Sequence, residues 1–192
     1  MKEPVLMANQ GSPFNGDTFI EQEFISLRDR FGIKTAVETG TCLGHTTLFL
    51  AKHFEKVYTV EINKEFLELA RPKFIQHPNI TSIGGNSPDV ISGLSLDDKT
   101  LFFLDAHWQK SCPLIDELKE IAIKKIKPVI AIHDFFVPGE PLGFDTWNGQ
   151  AFKLEWLKPY IDAIYPEGFM YYYNSDKESA GAKRGIIYLH AI

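Results

Sequence analysis

Short apolar runs alternate with amphipathic segments along most of the chain, and glycine, proline or asparagine residues separate them. A short apolar run is typical of a buried strand, whereas apolar residues at every third or fourth position indicate a helix. The strands predicted in this way cover residues 33–37, 56–60, 79–83, 100–104 and 129–132. Because a helical segment separates each of these strands from the next, the pattern predicts an α/β fold with a parallel sheet.

The last third of the chain departs from this alternation. Residues 137–150 are rich in glycine and proline and carry Phe144 and Trp147, which is typical either of a substrate rim or of an exposed insertion. A helix and then two strands joined by a polar turn are predicted to follow, over residues 151–160, 169–174 and 185–190. With the five earlier strands, this hairpin brings the prediction to seven strands.

The length and composition of the chain fit a single domain. Its 192 residues are enough to bury a substantial core, and an apolar content of 44% is ordinary for a globular protein. Glycine and proline residues interrupt the sequence before Asp17, so residues 1–16 are predicted to form an irregular arm. Residues 17–192 are predicted to form the folded domain, which begins with a helix that Asp17 or Thr18 caps.

The turn after the first predicted strand contains the first residues that indicate a ligand. Glu38 lies just before it, and Gly40 and Gly44 lack the Gly-x-Gly-x-x-Gly spacing that lets a backbone approach a pyrophosphate. The charge of Glu38 would also repel a pyrophosphate, whereas it would attract a cation. Glu61 ends the second strand about 20 residues after the turn, where an acid accepts hydrogen bonds from ribose hydroxyls. S-adenosylmethionine (SAM), a nucleoside with cationic groups, fits these residues better than NAD.

In these residues the chain resembles the class I SAM-dependent methyltransferases, whose first motif is an acid followed by a Gly-x-x-x-Gly turn. Their second motif is an acid at the end of the second strand. The resemblance implies a single-domain, Rossmann-like α/β fold of seven strands, mostly parallel with an antiparallel C-terminal strand, and helices on both faces. It implies SAM as the cofactor, with contacts from Glu38, Thr39, Gly40, Thr41, Gly44, Thr46, Thr47, Glu61, Ile62, Asn86, Ser87 and Asp105.

Two more acids and two histidines follow the fourth and fifth strands. Asp105 and His107 come after the fourth strand, and His133 and Asp134 come after the fifth. Since the carboxyl ends of parallel strands meet at one edge of the sheet, we expect these four residues to converge there. His107, His133 and Asp134 are the candidate catalytic residues, because a histidine is a competent general base near neutral pH.

Asp105 and Asp134 are also candidate ligands for Mg²⁺, which prefers carboxylate oxygens and can polarise an acceptor hydroxyl. In these two acids the chain resembles the metal-dependent O-methyltransferases, including those that act on sugar hydroxyls. It departs from their pattern because His133, rather than an acid or an amide, stands beside Asp134. The sequence therefore leaves open whether Mg²⁺ is required and which histidine is the base.

The predicted function is transfer of a methyl group from SAM to a hydroxyl of a small molecule or sugar. Two other classes stay open: a non-catalytic module that binds a nucleoside or SAM, and a metal-dependent hydroxylase or hydrolase on the same scaffold. A net charge of -5 argues against a nucleic-acid partner. The sequence has no run of 18 consecutive apolar residues, so no membrane span is predicted. The sequence leaves a homo-oligomer open.

The cysteines and the first residues bear on the location of the protein. Cys42 and Cys112 are too few for a disulfide framework, and neither has metal-type spacing with another cysteine or a histidine. The first ten residues lack the apolar region of a signal peptide. We therefore expect a cytoplasmic protein.

Overall fold

The computed structural model describes residues 11–107 and 112–192. Within these ranges the strands are β1 (Thr35–Thr39), β2 (Lys56–Glu61), β3 (Ile80–Gly84), β4 (Thr100–Leu104), β5 (Val129–His133), β6 (Thr146–Trp147), β7 (Gln150–Ala151), β8 (Phe169–Tyr173) and β9 (Ile186–Ala191). The α-helices in the same ranges are α1 (Thr18–Phe31), α2 (His45–His53), α3 (Lys64–Ala70), α4 (Ser87–Gly93), α5 (Leu114–Ile123) and α6 (Leu154–Ile164).

In the described part of the chain, the main sheet has seven strands in the order β3-β2-β1-β4-β5-β9-β8. Strands β1 to β5 pair in parallel, and β9 lies antiparallel between β5 and β8. The prediction of a seven-stranded, mostly parallel sheet with an antiparallel C-terminal strand is confirmed. Because β1 and β4 are neighbours, the strand order reverses between them, and ligands bind at such a point in open α/β sheets.

Helices cover both faces of the sheet, as predicted. Phe24 of α1 and Leu50 of α2 are fully buried on one face. Ile91 of α4, Leu118 of α5 and Ile161 of α6 are fully buried on the other. Strands β4 and β5 are buried on both sides, which explains why they are continuous apolar runs in the sequence. Within the described ranges, no helix combines the length and apolar character that a membrane crossing requires.

The first strand lies two residues later than predicted. Gly32 ends α1 in the left-handed conformation, with φ 61°, and the Ile33 N–H donates to the Arg28 carbonyl oxygen at 2.9 Å. These two residues close the helix, so the apolar run that begins at Ile33 starts as a helix terminus and enters the sheet only at Thr35. As a result, Glu38 belongs to the strand itself, with its side chain inside the protein.

The loop predicted over residues 137–150 contains local structure. Strands β6 and β7 pair there as a small hairpin, which the sequence did not predict because each strand has only two residues. Trp147 packs against the core, and the Phe144 ring meets the Phe136 ring edge to face at 5.0 Å. Both aromatic side chains of the loop therefore find partners on the protein. Helix α6 continues to Ile164, because its apolar face extends past the predicted end.

The segment before α1 is packed where the structure describes it. Phe14 is only 3% exposed, and its ring centroid lies 4.8–5.3 Å from those of Phe24, Phe49 and Phe103. Pro13–Gly16 forms a short 3₁₀ turn, and Asp17 then caps α1 by accepting hydrogen bonds from two backbone N–H groups. Residues 1–10 of the predicted arm lie outside the described residues. Packing thus begins before the predicted domain boundary.

Gly44 offers a test of how tightly the turn after β1 is packed. Both Gly44 and Gly139 have positive φ, 77° and 80°, but a Cβ on Gly44 would lie 2.6 Å from the Phe74 ring, whereas Gly139 faces open space. We expect Gly139→Ala to cost about 1 kcal/mol of folding stability from backbone strain, and Gly44→Ala to cost about 2 kcal/mol more from overpacking. Equilibrium unfolding in urea measures both. Equal losses would contradict the packing described here.

Candidate active site

The carboxyl ends of β1, β2, β4 and β5 meet at one edge of the sheet, around the crevice between β1 and β4. Gly40 follows β1 with φ 88°, and a Cβ at this position would lie 2.5 Å from the backbone oxygen of Asp105. The Asp105 N–H in turn donates to the Thr39 carbonyl oxygen at 3.2 Å. Only glycine permits this approach, so Gly40 holds the ends of β1 and β4 in contact at the base of the crevice.

Glu38 is buried beneath the glycine turn. It is 1% exposed, and its Oε2 accepts hydrogen bonds from Thr47 Oγ1 at 2.5 Å and Thr59 Oγ1 at 2.6 Å. Burial raises the pKa of Glu38 to about 8, although the two hydroxyl groups oppose the shift. Thr59 was not recognised in the sequence. This carboxyl group can therefore gain a negative charge near neutral pH when a cation comes close.

Glu61 ends β2 beside the same turn. Its Oε2 accepts from the Cys42 N–H at 2.9 Å, and its Oε1 accepts from the Asn63 N–H at 2.8 Å. A carboxylate has about four acceptor positions, so each oxygen can still accept a ribose hydroxyl. Ile62, the next residue, is 64% exposed, which is unusual for an isoleucine next to a buried strand end.

Several threonines predicted to contact the cofactor make hydrogen bonds inside the protein. The Thr41 side chain is buried and lies 2.6 Å from Thr59 Oγ1, and Thr47 binds Glu38. Thr46 Oγ1 accepts from the Phe14 N–H at 3.0 Å, which ties α2 to the segment before α1. The hydroxyls of this turn thus hold the acid and the neighbouring chain in place. The sequence could not assign these partners, because they depend on side-chain direction.

The residues after β3 divide into an exposed and a buried part. Asn86 is exposed at the start of α4 and donates to Asp89 Oδ2 at 3.1 Å. Ser87 is buried, and its hydroxyl donates to Glu117 Oε1 at 2.5 Å. Glu117 lies on α5 and was not predicted as a site residue. The sequence offered one sign that Glu117 is buried. It lies on the same face of α5 as the buried residues Leu114, Leu118 and Ile121.

The four residues at the ends of β4 and β5 converge as predicted and form two histidine–aspartate pairs. His107 Nε2 donates to Asp134 Oδ2 at 3.0 Å, and the His107 ring meets the Phe152 ring edge to face at 4.7 Å. His133 Nδ1 lies 3.2 Å from Asp105 Oδ1 and 3.4 Å from Asp134 Oδ1. His133 is 2% exposed and His107 is 8% exposed, so both rings are held inside the site.

Two residues that sequence reasoning missed complete this cluster. Arg184, from the turn before β9, donates from Nε to Asp134 and from Nη2 to Asp145, which lies in the loop before β6. The Asp145 N–H donates to the Asp134 carbonyl oxygen at 2.9 Å. Asp134 itself has φ 57°, a conformation that non-glycine residues seldom adopt. Arg184 therefore joins three chain segments around one strained aspartate.

The histidines and aspartates of the cluster stabilise one another's charged forms. Burial lowers the pKa of His133, but the charges of Asp134 and Asp105 outweigh it and hold this pKa well above its ordinary value. Burial also opposes protonation of His107, yet the hydrogen bond to Asp134 and the Asp105 charge raise its pKa. Burial raises the pKa of Asp134, but the His133 charge and the His107 hydrogen bond bring it well below the usual range. Asp134 is thus held in its charged form by the basic side chains around it.

Two overlapping groups in this cluster have the spacing of metal ligands. One ligand atom from each of Asp105, His133 and Asp134 lies within 4.8 Å of the others, and the same is true of His107, Asp134 and Asp145. The first group combines one imidazole nitrogen with two carboxylates. Such a mixed set suits Mn²⁺, Fe²⁺ or Zn²⁺ better than Mg²⁺, which prefers oxygen ligands. Asp145 was not a predicted ligand.

Comparison with known proteins bears on the fold. Neither the protein-family models nor the sequences of curated proteins match this chain. Similar solved structures include an rRNA methylase from Streptococcus thermophilus, a proposed caffeoyl-CoA O-methyltransferase from Staphylococcus aureus and a proposed methyltransferase from Streptococcus mutans in complex with S-adenosylhomocysteine (SAH). Their TM-scores are 0.60, 0.60 and 0.57, at identities of 13%, 14% and 14%. This chain has the Rossmann-like fold of methyltransferases.

The similarity extends over nearly the whole chain. The three alignments cover 96%, 97% and 88% of this chain, and 98%, 85% and 96% of the other chains. No large part of the chain is therefore left for a second domain in these comparisons. Because the identities are low, they establish the fold, and the chemistry has to be argued from the side chains at the edge of the sheet.

Proposed function

We propose that this protein is a SAM-dependent methyltransferase that transfers a methyl group to a hydroxyl of a small molecule or sugar. The observation that carries the proposal is a set of buried acids without a basic partner. Glu38, Glu61 and Glu117 are 1–7% exposed around the crevice. In the ranges that the structure describes, no lysine or arginine forms an ion pair with them.

A buried carboxylate is costly unless a cation or hydrogen bonds compensate its charge. SAM supplies a sulfonium and an ammonium group, whereas a dinucleotide would bring further negative charge to these acids. Glu61 has acceptor positions left for the ribose hydroxyls, and the exposed Ile62 offers an apolar surface to the adenine. The SAH-bound methyltransferase of the same fold supports the same choice of cofactor. Asn86, Ser87 and Asp105 complete the proposed cofactor residues.

His107 is the proposed general base. Its Nε2 is hydrogen-bonded to Asp134, and this bond fixes the orientation of the ring. The other ring nitrogen, Nδ1, is then the atom that accepts a proton. In the proposed step the acceptor oxygen attacks the methyl carbon, the bond from that carbon to sulfur breaks, and Nδ1 takes the hydroxyl proton as SAH forms. Asp134 orients the base and stabilises the imidazolium. His133 is buried more deeply and pairs with Asp105, so we assign it to holding that acid.

A divalent metal ion is the second candidate for acidifying the hydroxyl. Asp105, His133 and Asp134 would hold it, and it would supply a Lewis acid next to the acceptor. The mixed donors favour Mn²⁺ or Zn²⁺ over Mg²⁺, the ion that the sequence left open. Asp134 would have to keep its contact with Arg184 while it binds the ion. A metal at this position would act in the same methyl transfer and would leave the cofactor assignment unchanged.

The cofactor assignment predicts that the Glu61→Gln variant binds SAM more weakly than the wild type. We expect the dissociation constant for SAM to rise about 10- to 100-fold, because charge-assisted hydrogen bonds to the ribose contribute about 1.5 to 3 kcal/mol. Calorimetric titration measures this change. Glu65→Gln, an exposed acid in the first turn of α3, is the control and should bind SAM normally. A wild-type protein that binds neither SAM nor SAH would refute the proposed function.

The base assignment predicts that His107→Gln lowers the methyl-transfer rate by about 10²- to 10⁴-fold, with little change in SAM affinity. Transfer of a radiolabelled methyl group to a panel of sugars and catechols identifies an acceptor and then measures the rate. His77→Gln, a histidine outside the site, is the control. If His107→Gln keeps its rate while His133→Gln is inactive, the role of base moves to His133.

The metal candidate predicts a change in thermal stability that is independent of turnover. Chelator-treated protein should melt at a higher temperature with Mn²⁺ than with Mg²⁺, because a ligand at 100 times its dissociation constant stabilises the folded state by about 2.7 kcal/mol. Asp105→Asn should remove the difference, whereas Asp116→Asn, an exposed acid on α5, should retain it. Absence of any shift with Mn²⁺, Zn²⁺ or Mg²⁺ would exclude the metal candidate.

A further inference from the structure

The two edges of the main sheet differ in how they are protected. Strand β3 forms one edge, and the Arg71 guanidinium donates to the carbonyl oxygen of Ser82 in this strand at 3.5 Å. Strand β8, Phe169–Tyr173, forms the other edge and consists of four aromatic residues and one methionine. Proteins usually protect an exposed edge with charges, a proline or a covering segment, because its free backbone groups can pair with another strand. Strand β8 contains no charge and no proline, and in the described ranges no strand pairs with its outer side.

The free backbone groups of β8 follow from its antiparallel pairing with β9. The Asn174 N–H, directly after β8, donates to the carbonyl oxygen of Ile186, the residue opposite it, at 3.3 Å. Hydrogen-bonded and non-hydrogen-bonded pairs alternate along an antiparallel ladder, so every second residue of β8 directs its N–H and C=O away from β9. These outward residues are Phe169, Tyr171 and Tyr173.

The side chains of the outward residues form an aromatic row on one face of the sheet. The ring centroid of Tyr171 lies 6.0 Å from that of Phe169 and 5.5 Å from that of Tyr173. The two outer rings are anchored on the core, because Phe169 lies 6.1 Å from Tyr165 and Tyr173 lies 6.1 Å from Phe135. Tyr171, between them, is 45% exposed. The row therefore presents an apolar surface whose ends are held by the fold.

The other face of the same edge is also apolar. Met170 is 54% exposed, and the Tyr172 hydroxyl donates to Glu23 of α1, which fixes this ring. Ile192, 83% exposed, lies beside the start of the strand, since a Cβ on Gly168 would lie 2.5 Å from its Cδ1. Because contacts with α1 and the core already order this strand, a partner would lose little further conformational freedom on binding to it.

We propose that two copies of this chain associate through β8, which pairs antiparallel with β8 of the second copy around a two-fold axis at Tyr171. Tyr171 then faces Tyr171 of the second copy, Phe169 lies opposite Tyr173, and Met170 lies opposite Tyr172. In this register the backbone N–H and C=O groups of all three outward residues find partners. The two main sheets become one continuous sheet, as in other cases of strand addition at an exposed edge.

The sequence of β8 favours a second copy of this chain as the occupant. The strand is self-complementary, because each cross-strand pair in the proposed register joins two aromatic rings or a methionine and an aromatic ring. Since the strand has no charged residue, two copies bring no like charges together. The two-fold axis uses the same surface on both copies and closes the assembly at two.

Sedimentation velocity at a series of protein concentrations tests the dimer. A five-residue strand extends only about 17 Å, so we expect a weak dimer with a dissociation constant on the order of micromolar. Tyr171→Lys should raise this constant at least about tenfold, because two positive charges then meet at the axis. Its fold should persist, since this side chain is exposed, and urea unfolding checks this. Ile75→Lys, at an isoleucine outside β8 that is 81% exposed, is the control and should dimerise like the wild type.

A mixture of two variants tests the register. Tyr171→Lys and Tyr171→Glu should each dimerise poorly alone, because position 171 faces its own copy across the axis. Mixed in equal amounts, they should associate about as tightly as the wild type, since opposite charges then meet there. A mixture that stays monomeric would contradict the proposed register.

Amide hydrogen exchange in the wild-type protein provides a measurement without a variant. The Tyr171 N–H points outward, so it should exchange more slowly at protein concentrations above the dissociation constant than below it. The Tyr172 N–H points to β9 and should exchange at the same rate at both concentrations. Nuclear magnetic resonance resolves the two amides. Equal exchange of the Tyr171 N–H at both concentrations would count against the pairing.

The remaining outcomes separate this dimer from other uses of the edge. A wild-type chain that stays monomeric at every concentration would overturn the proposal, even if another protein were found to bind β8. A dimer that Tyr171→Lys leaves intact would place the interface elsewhere and would overturn it as well. None of these measurements uses a cofactor, so their failure would leave the proposed methyl transfer standing, and loss of SAM binding would leave the dimer standing.

Discussion

The contact between the ends of β1 and β4 is the constraint on which the rest of the site depends. Gly40 allows the backbone after β1 to touch the backbone of Asp105, and no other residue would fit there without moving one of the strands. This contact brings the acids of β1 and β2 next to the histidine–aspartate pairs at the ends of β4 and β5, so the proposed cofactor and acceptor residues lie at one edge of the sheet.

The two parts of the site differ in how their charges are balanced. After β4 and β5, the carboxylates of Asp105, Asp134 and Asp145 are matched by Arg184 and by two histidines with raised pKa values. Around the glycine turn, the glutamates rely on hydroxyl and backbone donors. The first part therefore has basic side chains facing its carboxylates before any ligand binds. In the proposed function a cation completes the second part, and this asymmetry is the physical basis for proposing SAM.

The same asymmetry explains why several buried groups have pKa values near neutrality. Glu38 and Glu117 have pKa values of about 8 and 7, because burial disfavours their charged forms and hydroxyl groups compensate only in part. In the proposed function, cofactor binding is coupled to proton movement at these two acids, whereas Asp134 keeps its charge because its pKa lies well below the usual range.

The sequence by itself determined the features that depend on local order along the chain. The apolar runs predicted the strands, and the glycine turn placed Glu38 and Glu61 at neighbouring strand ends, because strand ends and turns are fixed by neighbouring residues. That these two acids bind a nucleoside stays a prediction. The convergence of Asp105 and His107 with His133 and Asp134 followed from the geometry of parallel sheets. The small hairpin β6–β7 escaped prediction, because two-residue strands leave no periodic signal.

Only the tertiary structure decided which side chains are partners. Arg184 lies 50 residues from Asp134 in sequence, and Glu117 lies 30 residues from Ser87, so no local pattern links either pair. The same is true of the threonines of the turn, whose hydroxyls face inward because of helix rotation and packing. Side-chain direction, burial and the resulting charge balance are properties of the assembled fold, since they arise from contacts between segments that are distant in the chain.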